Sequence, residues 1–318
     1  MPADKHDLPG IGITIGDVAG CSPELLPTVL SVIPSGFDCH VFGPEVLKES
    51  LELSKTFTKD RWNWVNCGHI RPDRVLSGNP DEETGQIAFT ALKRAVETAN
   101  RGAIDGLLTL PLSKSVVHDA GEVGFRGHTA YFEKRWNCRS VMTFFGESLA
   151  VALLSRHRPL GEVSKWLSTS RIVQQVKTVH RFYHTYMGFA PKFALLGLNP
   201  HAGERGLLGE QEETVLKPAL KQLNDNEVSM EGPFPADSFF PIHGDRFDLV
   251  FACYHDQGLI PFKQKHFFTG VHASLGLPVL RVSPDHGIAA DLAGENQLDS
   301  RSAENAMRSL CDWLQADS

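Results

Sequence analysis

The sequence predicts an α/β protein with parallel sheet, arranged as two domains or one large unit. Three observations carry that expectation. The chain has 318 residues, more than one hydrophobic core comfortably serves. Hydrophobic residues make up 42% and charged residues 22%, the balance of a folded rather than a disordered chain. From Gly10 onward, short apolar runs alternate with amphipathic stretches, the rhythm of strands alternating with helices.

The elements follow in order. IGITI (11–15) reads as the first strand. The glycines of GIGITIG (10–16) bracket that strand, whereas a dinucleotide fingerprint follows a strand and opens a helix, so they are packing and turn residues and not a Rossmann motif. PELLPTVLSVI forms a helix with Ser22 as N-cap and Pro23 at its first position, and Pro27 should cost or bend it. Strand DCHVFG (38–43) and the polar loop SGNPDEETGQ (77–86) precede a helix over 85–101 and the strand GLLTL (106–110). HDAGEVGFRG (118–127) is a Gly-rich connection suited to a domain boundary. Strands SVMTFF (140–145) and SLAVALLS (148–155) lead into one long helix over 163–187. KFALLGL (192–198), a helix over 212–225, DLVFACY (248–254), PVLRVS (278–283) and a closing helix over 304–315 complete the series.

Composition excludes several functions. With 31 basic against 38 acidic residues, the formal charge of −7 gives neither nucleic acid nor an anionic membrane surface a general reason to bind. Cys21, Cys39, Cys67, Cys138, Cys253 and Cys311 contain no C-x-x-C pair, which removes a zinc ribbon or dithiol motif and points to a reducing compartment. The first ten residues lack an apolar signal region, and no apolar run approaches the ~18 residues of a membrane span, so a cytoplasmic protein is expected.

Fourteen histidines are a surplus, and three of them occupy telling positions. In open α/β sheets the ligand crevice lies beyond the carboxyl ends of the strands. His157, His201 and His255 each follow an apolar run there, and three imidazoles could converge on one divalent ion while leaving positions open for substrate oxygens. The bland alternative, in which each caps a loop, stays open on placement alone. NPHAGERG (199–206) and YHDQGLIPFK (254–263) read as Gly-rich loops that approach a ligand closely, with Asp256 beside His255 to orient or ligate. A second, basic set could hold a phosphate or carboxylate: His128, Thr129, Lys263 and Arg281, with Lys114 and Lys265 as further members. Arg281 stands out, because an arginine within an apolar strand needs a partner.

ITIGDVAGCSPE, LTLPLSK, GHTAYF, GLNPHAGERG, GPFPADSFF, YHDQGLIPFK, GVHASLGLPVLRVSPDHG and AADLAGE occur in this order over about residues 10–296. In these blocks the chain resembles the 4-hydroxythreonine-4-phosphate dehydrogenase family of pyridoxal phosphate (vitamin B6) biosynthesis. The resemblance implies two α/β/α domains of the isocitrate and isopropylmalate dehydrogenase type, over 1–122 plus 295–318 and over 123–294. It also implies an active site in the interdomain cleft and a homodimer that shares that site. His157, His201 and His255 match the metal ligands, one of them contributed across the dimer. His128, Thr129, Lys263 and Arg281 match substrate-phosphate positions, and Asp237 matches an acidic residue near the site. His286, Gly287 and Asp291 are candidates for the adenine-nucleotide loop.

The implied reaction is metal-dependent oxidation of a secondary alcohol by NAD, with NADP as the alternative, followed by decarboxylation. The metal would be Zn, Mg, Co or Mn. Lys263, Asp256 and Asp237 are the candidate catalytic side chains. Departures from the family pattern bear on the substrate. His272 stands where Asn is usual, Ala130 replaces Glu, Val18, Cys21 and Ser22 alter the opening motif, and Ile288 replaces a hydroxyl residue. His272 at the substrate would give turnover a pH dependence between about 6 and 7. The leading substrate is 4-phosphooxy-L-threonine. A phosphorylated threonate or a cyclic dihydrodiol carboxylate is the alternative, and a metal-dependent hydrolase or lyase and a decayed binding protein are rivals from other classes.

Overall fold

In a computed structural model of the chain, residues 8–51, 53 and 62–316 are described. Residues 1–7, which carry most of the stretch read as lacking a signal region, and 317–318 lie outside them. The chain forms two compact units, one running through Cys138 and rejoined by Leu277–Ala316, the other comprising Arg139–Gly276. These limits differ from the expected 122/123 and 294/295. Phe89 packs edge-on against Phe125 and Tyr131, with ring centroids 5.8 and 5.4 Å apart, and this holds the segment after 122 to the first unit. At the other limit, the strand from Leu280 pairs within the first unit's sheet.

The first unit holds β1 (Gly10–Thr14), β2 (Asp38–Gly43), β3 (Trp62–Asn66), β4 (Gly106–Thr109) and β11 (Leu280–Pro284), in the order β3-β2-β1-β4-β11. Every pairing in it is parallel. Adjacent residues of β4 face opposite sides. Leu107 joins Leu92, Ala95 and Val96 of α3 (Glu82–Asn100) in one core cluster. A Cβ on Gly106 would meet Leu310 and Leu314 of α11 (Arg301–Ala316) at 2.8 Å, so glycine lets that helix close on the other face. The result is a three-layer α/β/α unit.

Local chemistry explains several boundaries. In α1 (Ser22–Ser31) the cap is Cys21 and not Ser22, because the Ser22 hydroxyl donates to the Pro111 carbonyl at 3.1 Å instead. Pro27 is accommodated inside that helix. Asp81 and Thr84 form a capping box that starts α3, which ends the polar loop earlier than expected. HDAGEVGFRG links α4 (Lys114–Asp119) to α5 (His128–Trp136) within the first unit and marks no boundary.

The second unit holds β5 (Val141–Phe145), β6 (Ala150–Leu153), β7 (Phe193–Leu196), β8 (Met230–Phe234), β9 (Leu249–Ala252) and β10 (Val271–Leu275). Their order is β10-β5-β6-β9-β7-β8. β5 pairs antiparallel with both neighbours, whereas β6, β9, β7 and β8 run parallel. Val151, Leu153, Val250 and Ala252 pack with Leu259 and Phe262 of α10 (His255–His266) on one face. On the other, Phe251 meets Phe193, which meets Tyr183 just beyond α7 (Thr169–Phe182). The single helix expected over 163–187 is two, α6 (Leu160–Trp166) and α7, because the Ser168 side chain accepts from the Arg171 amide and caps a new start. YHDQGLIPFK is likewise mostly helix. Gly258 is there because a Cβ would lie 2.6 Å from Val151 and 2.9 Å from Ala252, so it brings α10 onto the sheet.

Candidate active site

The parallel strands β6, β9 and β7 are neighbours, and the chain leaves each of their carboxyl ends toward a histidine. His157 follows β6, and His255 opens α10 directly after β9. Their rings lie 5.4 Å apart between centroids. His255 Nδ1 lies 2.7 Å from Asp256 Oδ1, an arrangement that places the proton on Nδ1 and leaves the lone pair on Nε2. Asp256 is well exposed, so it orients the ring without burial cost.

His201 stands on different ground. It belongs to a turn in which His201, Ala202, Gly203, Glu204 and Arg205 all have positive φ, from 40 to 75°. Left-handed backbone costs roughly 1–2 kcal/mol for each non-glycine residue, so this turn persists only because its surroundings impose it. Two side chains do so. Glu212, fully buried, accepts from the Asn199 amide at 2.7 Å and from Asn199 Nδ2 at 2.8 Å. Gln257 accepts from the Cys253 amide at 2.6 Å and donates to the Gly197 carbonyl at 2.7 Å, tying the end of β9 to the end of β7. A cavity of about 340 Å³ opens there, lined by Asn199, His201, Asp237, Tyr254 and Gln257 among others. Glu212 and Gln257 are not distinguished in the sequence, where Glu212 stands between Glu210 and Glu213 and looks like any other acid of a helix start.

The three-histidine convergence is not completed within one chain. Among the described residues no three His, Cys, Asp or Glu side chains form a group able to hold a metal ion. His157 and His255 come together, while His201 shares its cavity with Asp237. The donor chemistry nevertheless suits a divalent ion: two adjacent imidazoles, one with its tautomer set by a carboxylate.

The first unit carries a buried arginine, with His128 and the exposed Lys114 near it. Arg281 on β11 is 3% exposed and donates through Nε and Nη2 to the Thr109 hydroxyl, at 3.0 and 2.6 Å. Burial pushes its guanidinium down to about 9, still charged at neutral pH. His128, at the start of α5, has an Nε2 that is buried without a hydrogen-bond partner. Burial, then the charges of Arg281 and Lys114, hold His128 well below its ordinary value and so neutral. Gly127 has φ 103°, and a Cβ there would meet Lys114 Cε at 2.8 Å. Thr129 lies in the first turn of α5. Thr109, absent from the residues singled out in the sequence, is an anchor of the arginine.

The other candidates are dispersed. Lys263 lies along α10 with its ammonium 5.5 Å from the Phe267 ring. His272 on β10 is 8% exposed and stacks on Phe144 at 4.9 Å, so its ring is packed in the second unit's core. In the 285–291 loop, His286 Nδ1 lies 2.9 Å from the Gly287 carbonyl while its buried Nε2 has no partner. Asp291 is exposed in a short 3-10 turn. The Cys21 amide donates to the Ile288 carbonyl at 2.8 Å and anchors this loop to the altered opening motif. A polar loop with an open glycine and an orphaned imidazole nitrogen is compatible with a nucleotide's hydrogen-bonding edge.

The family model described as pyridoxal phosphate biosynthetic protein PdxA matches residues 41–310. The chain belongs to this family. It is 35% identical to the 4-hydroxythreonine-4-phosphate dehydrogenase of Aquifex aeolicus (strain VF5), over 96% of this chain and 98% of that protein. Its identity with the enzyme of the same name from Desulfosudis oleivorans is 36%, over 96% of each. The crystal structure of 4-hydroxythreonine-4-phosphate dehydrogenase from Klebsiella pneumoniae superposes with a TM-score of 0.80 at 28% identity, covering 98% of this chain and 100% of that one. A terephthalate 1,2-cis-dihydrodiol dehydrogenase from Burkholderia xenovorans LB400 shares the fold, with a TM-score of 0.70 at 21% identity over 96% and 98% of the two chains.

Proposed function

We propose that this PdxA-family chain is a metal- and NAD-dependent dehydrogenase that oxidises the secondary alcohol of a phosphorylated hydroxy acid, 4-hydroxythreonine 4-phosphate first among candidates. The observation that carries the reading is the placement of His157, His255 and His201 at the carboxyl ends of three neighbouring parallel strands. A divalent ion, when bound, supplies polarisation of the alcohol and its neighbouring group, and NAD accepts hydride. His157 and His255 would hold that ion from one chain, with Asp256 fixing the tautomer of His255. Arg281, oriented by Thr109, would receive the phosphate together with His128, Thr129 and Lys114. Asp256, Lys263 and Asp237 are the groups available to move the proton, and Asp237 already shares a cavity with His201. His286, Gly287 and Asp291 would take the adenine nucleotide.

The reading includes a homodimer in which a second copy completes the ligand set. Two features support it: the incomplete histidine group of one chain, and exposed Leu207, Ile260, Phe267 and Phe268 on the second unit. Among the described residues no helix is long and apolar enough to cross a membrane, and the cysteines are free thiols, which supports a cytoplasmic location. Buried His272 keeps a paralogous hydroxy acid or dihydrodiol substrate as the second reading, because an imidazole and an amide present different partners. A screen of phosphorylated and unphosphorylated hydroxy acids with NAD, NADP and several divalent ions, followed at the NADH absorbance band, tests the proposal. No NADH with any of them would overturn it. Turnover of only unphosphorylated diols would transfer the assignment to the second reading.

A further inference from the structure

We propose that Glu212 is the positioning residue for His201, aiming the imidazole by imposing the left-handed turn that carries it; the inference rests on His201 being a metal ligand. Glu212 is fully buried and faces no cation within ion-pair distance among the described residues. Its carboxyl oxygens instead engage one residue, Asn199, through both backbone and side chain, two positions before His201. The same carboxyl group abuts the middle of the turn. A Cβ on Gly203 would lie 2.6 Å from Glu212 Oε2, and one on Gly197 would lie 3.3 Å from Oε1. Glu212 therefore touches the strand exit, the entrance to the turn and its centre.

Packing alone does not explain a carboxyl group here. An apolar side chain would fill the space without desolvating an acid, so its presence calls for a task that needs two acceptors. The task is visible in the backbone: five consecutive positive φ values leave the turn without intrinsic preference for its shape. Asn199 has a further partner in Gln211 Oε1, at 2.8 Å, so the start of the 211–216 segment holds the entrance to the turn, beside the tie that Gln257 makes to Gly197. Loss of a partner bonded to a ligating histidine weakens metal affinity by about 10–100-fold, and Glu212, which acts through Asn199 and the turn, should fall at the low end.

The test compares Glu212→Gln with wild type in the full, metal-stripped protein. Co²⁺ alone is the probe, titrated by its visible absorption, and His201→Ala serves as the ligand control. The expected result is a Co²⁺ affinity lowered at least about tenfold, with circular dichroism and melting temperature near wild type and faster tryptic cleavage after exposed Arg205. The swapped pair, Asn199→Asp with Glu212→Gln, restores a complementary carboxyl–amide contact and should recover most of the affinity. If Glu212→Gln fails to fold, Asn199→Ala supplies the measurement, since it removes the side-chain bonds at a less buried site. A folded Glu212→Gln or Asn199→Ala protein that binds Co²⁺ as wild type does overturns the positioning role. Wild type and His201→Ala binding Co²⁺ equally would instead refute the ligand reading beneath it.

Discussion

Replacing Thr109 by Val tests the anion cluster most directly, because it keeps side-chain shape and removes the one oxygen that receives both Arg281 donors. Thr109 is fully buried and Arg281 nearly so, and water cannot readily replace the lost acceptor. A hydrogen bond to a charged group contributes about 1.5–3 kcal/mol, and two that share one acceptor are not independent, so the expected loss is about 3 kcal/mol. For 318 residues that corresponds to a melting temperature lower by roughly 4–5 °C. The guanidinium also loses one of its anchors, so the phosphorylated substrate should bind about tenfold more weakly, with little change for an unphosphorylated analogue. Thermal scans with and without substrate, together with KM for both compounds, measure the two effects. A variant that melts within a degree of wild type and retains its KM would show that Thr109 does not organise Arg281.

Three further outcomes follow from the geometry. Asp256→Asn should weaken divalent-ion binding about tenfold, the low end for an orienting carboxylate because this one is exposed, as isothermal titration would show; a pH–rate profile that also loses a limb would assign it proton transfer as well. His128 titrates below its ordinary value in the fold, so as pH falls below about 6.5 the unfolded chain takes the proton first and stability declines. His128→Asn should flatten that acid-side decline in denaturant midpoints measured from pH 7 to 5, and an unaltered slope would contradict its neutral burial. Gly258→Ala should lower stability by about 1–3 kcal/mol, because the new Cβ falls 2.6 Å from Val151, and an unchanged urea midpoint would mean that α10 shifts freely.

Most strands that sequence patterning revealed are short, mainly apolar and largely buried runs, such as β1, β6, β7 and β9. β3, β8 and β10 were not legible: WNWVN alternates polar residues at a sheet edge, MEGPF contains a Gly-Pro pair on another edge, and VHASL buries polar side chains. The histidines at the strand ends were legible because the carboxyl edge of a parallel sheet is a place sequence can find. Thr109, Glu212 and Gln257 were not, since their partners, Arg281 for Thr109, Asn199 for Glu212 and Gly197 for Gln257, meet them only in the folded chain. The glycines of YHDQG and NPHAGERG were visible, but their reasons differ: Gly258 permits helix-on-sheet contact, whereas Gly203 sits at positive φ against Glu212.

The return of the chain to its starting unit has a consequence for synthesis. Until β11 arrives, β4 presents an unpaired parallel edge, and until α11 arrives, Gly106 lacks the Leu310 and Leu314 cover it was shaped for. The second unit is continuous in sequence and can complete itself while the ribosome is still making the rest. The first unit, although it begins to emerge earlier, must wait for β11 and α11, which follow the whole of the second unit. Until residue 280 has emerged, β4 keeps its open edge, and it is the older half of the polypeptide that would attract a chaperone.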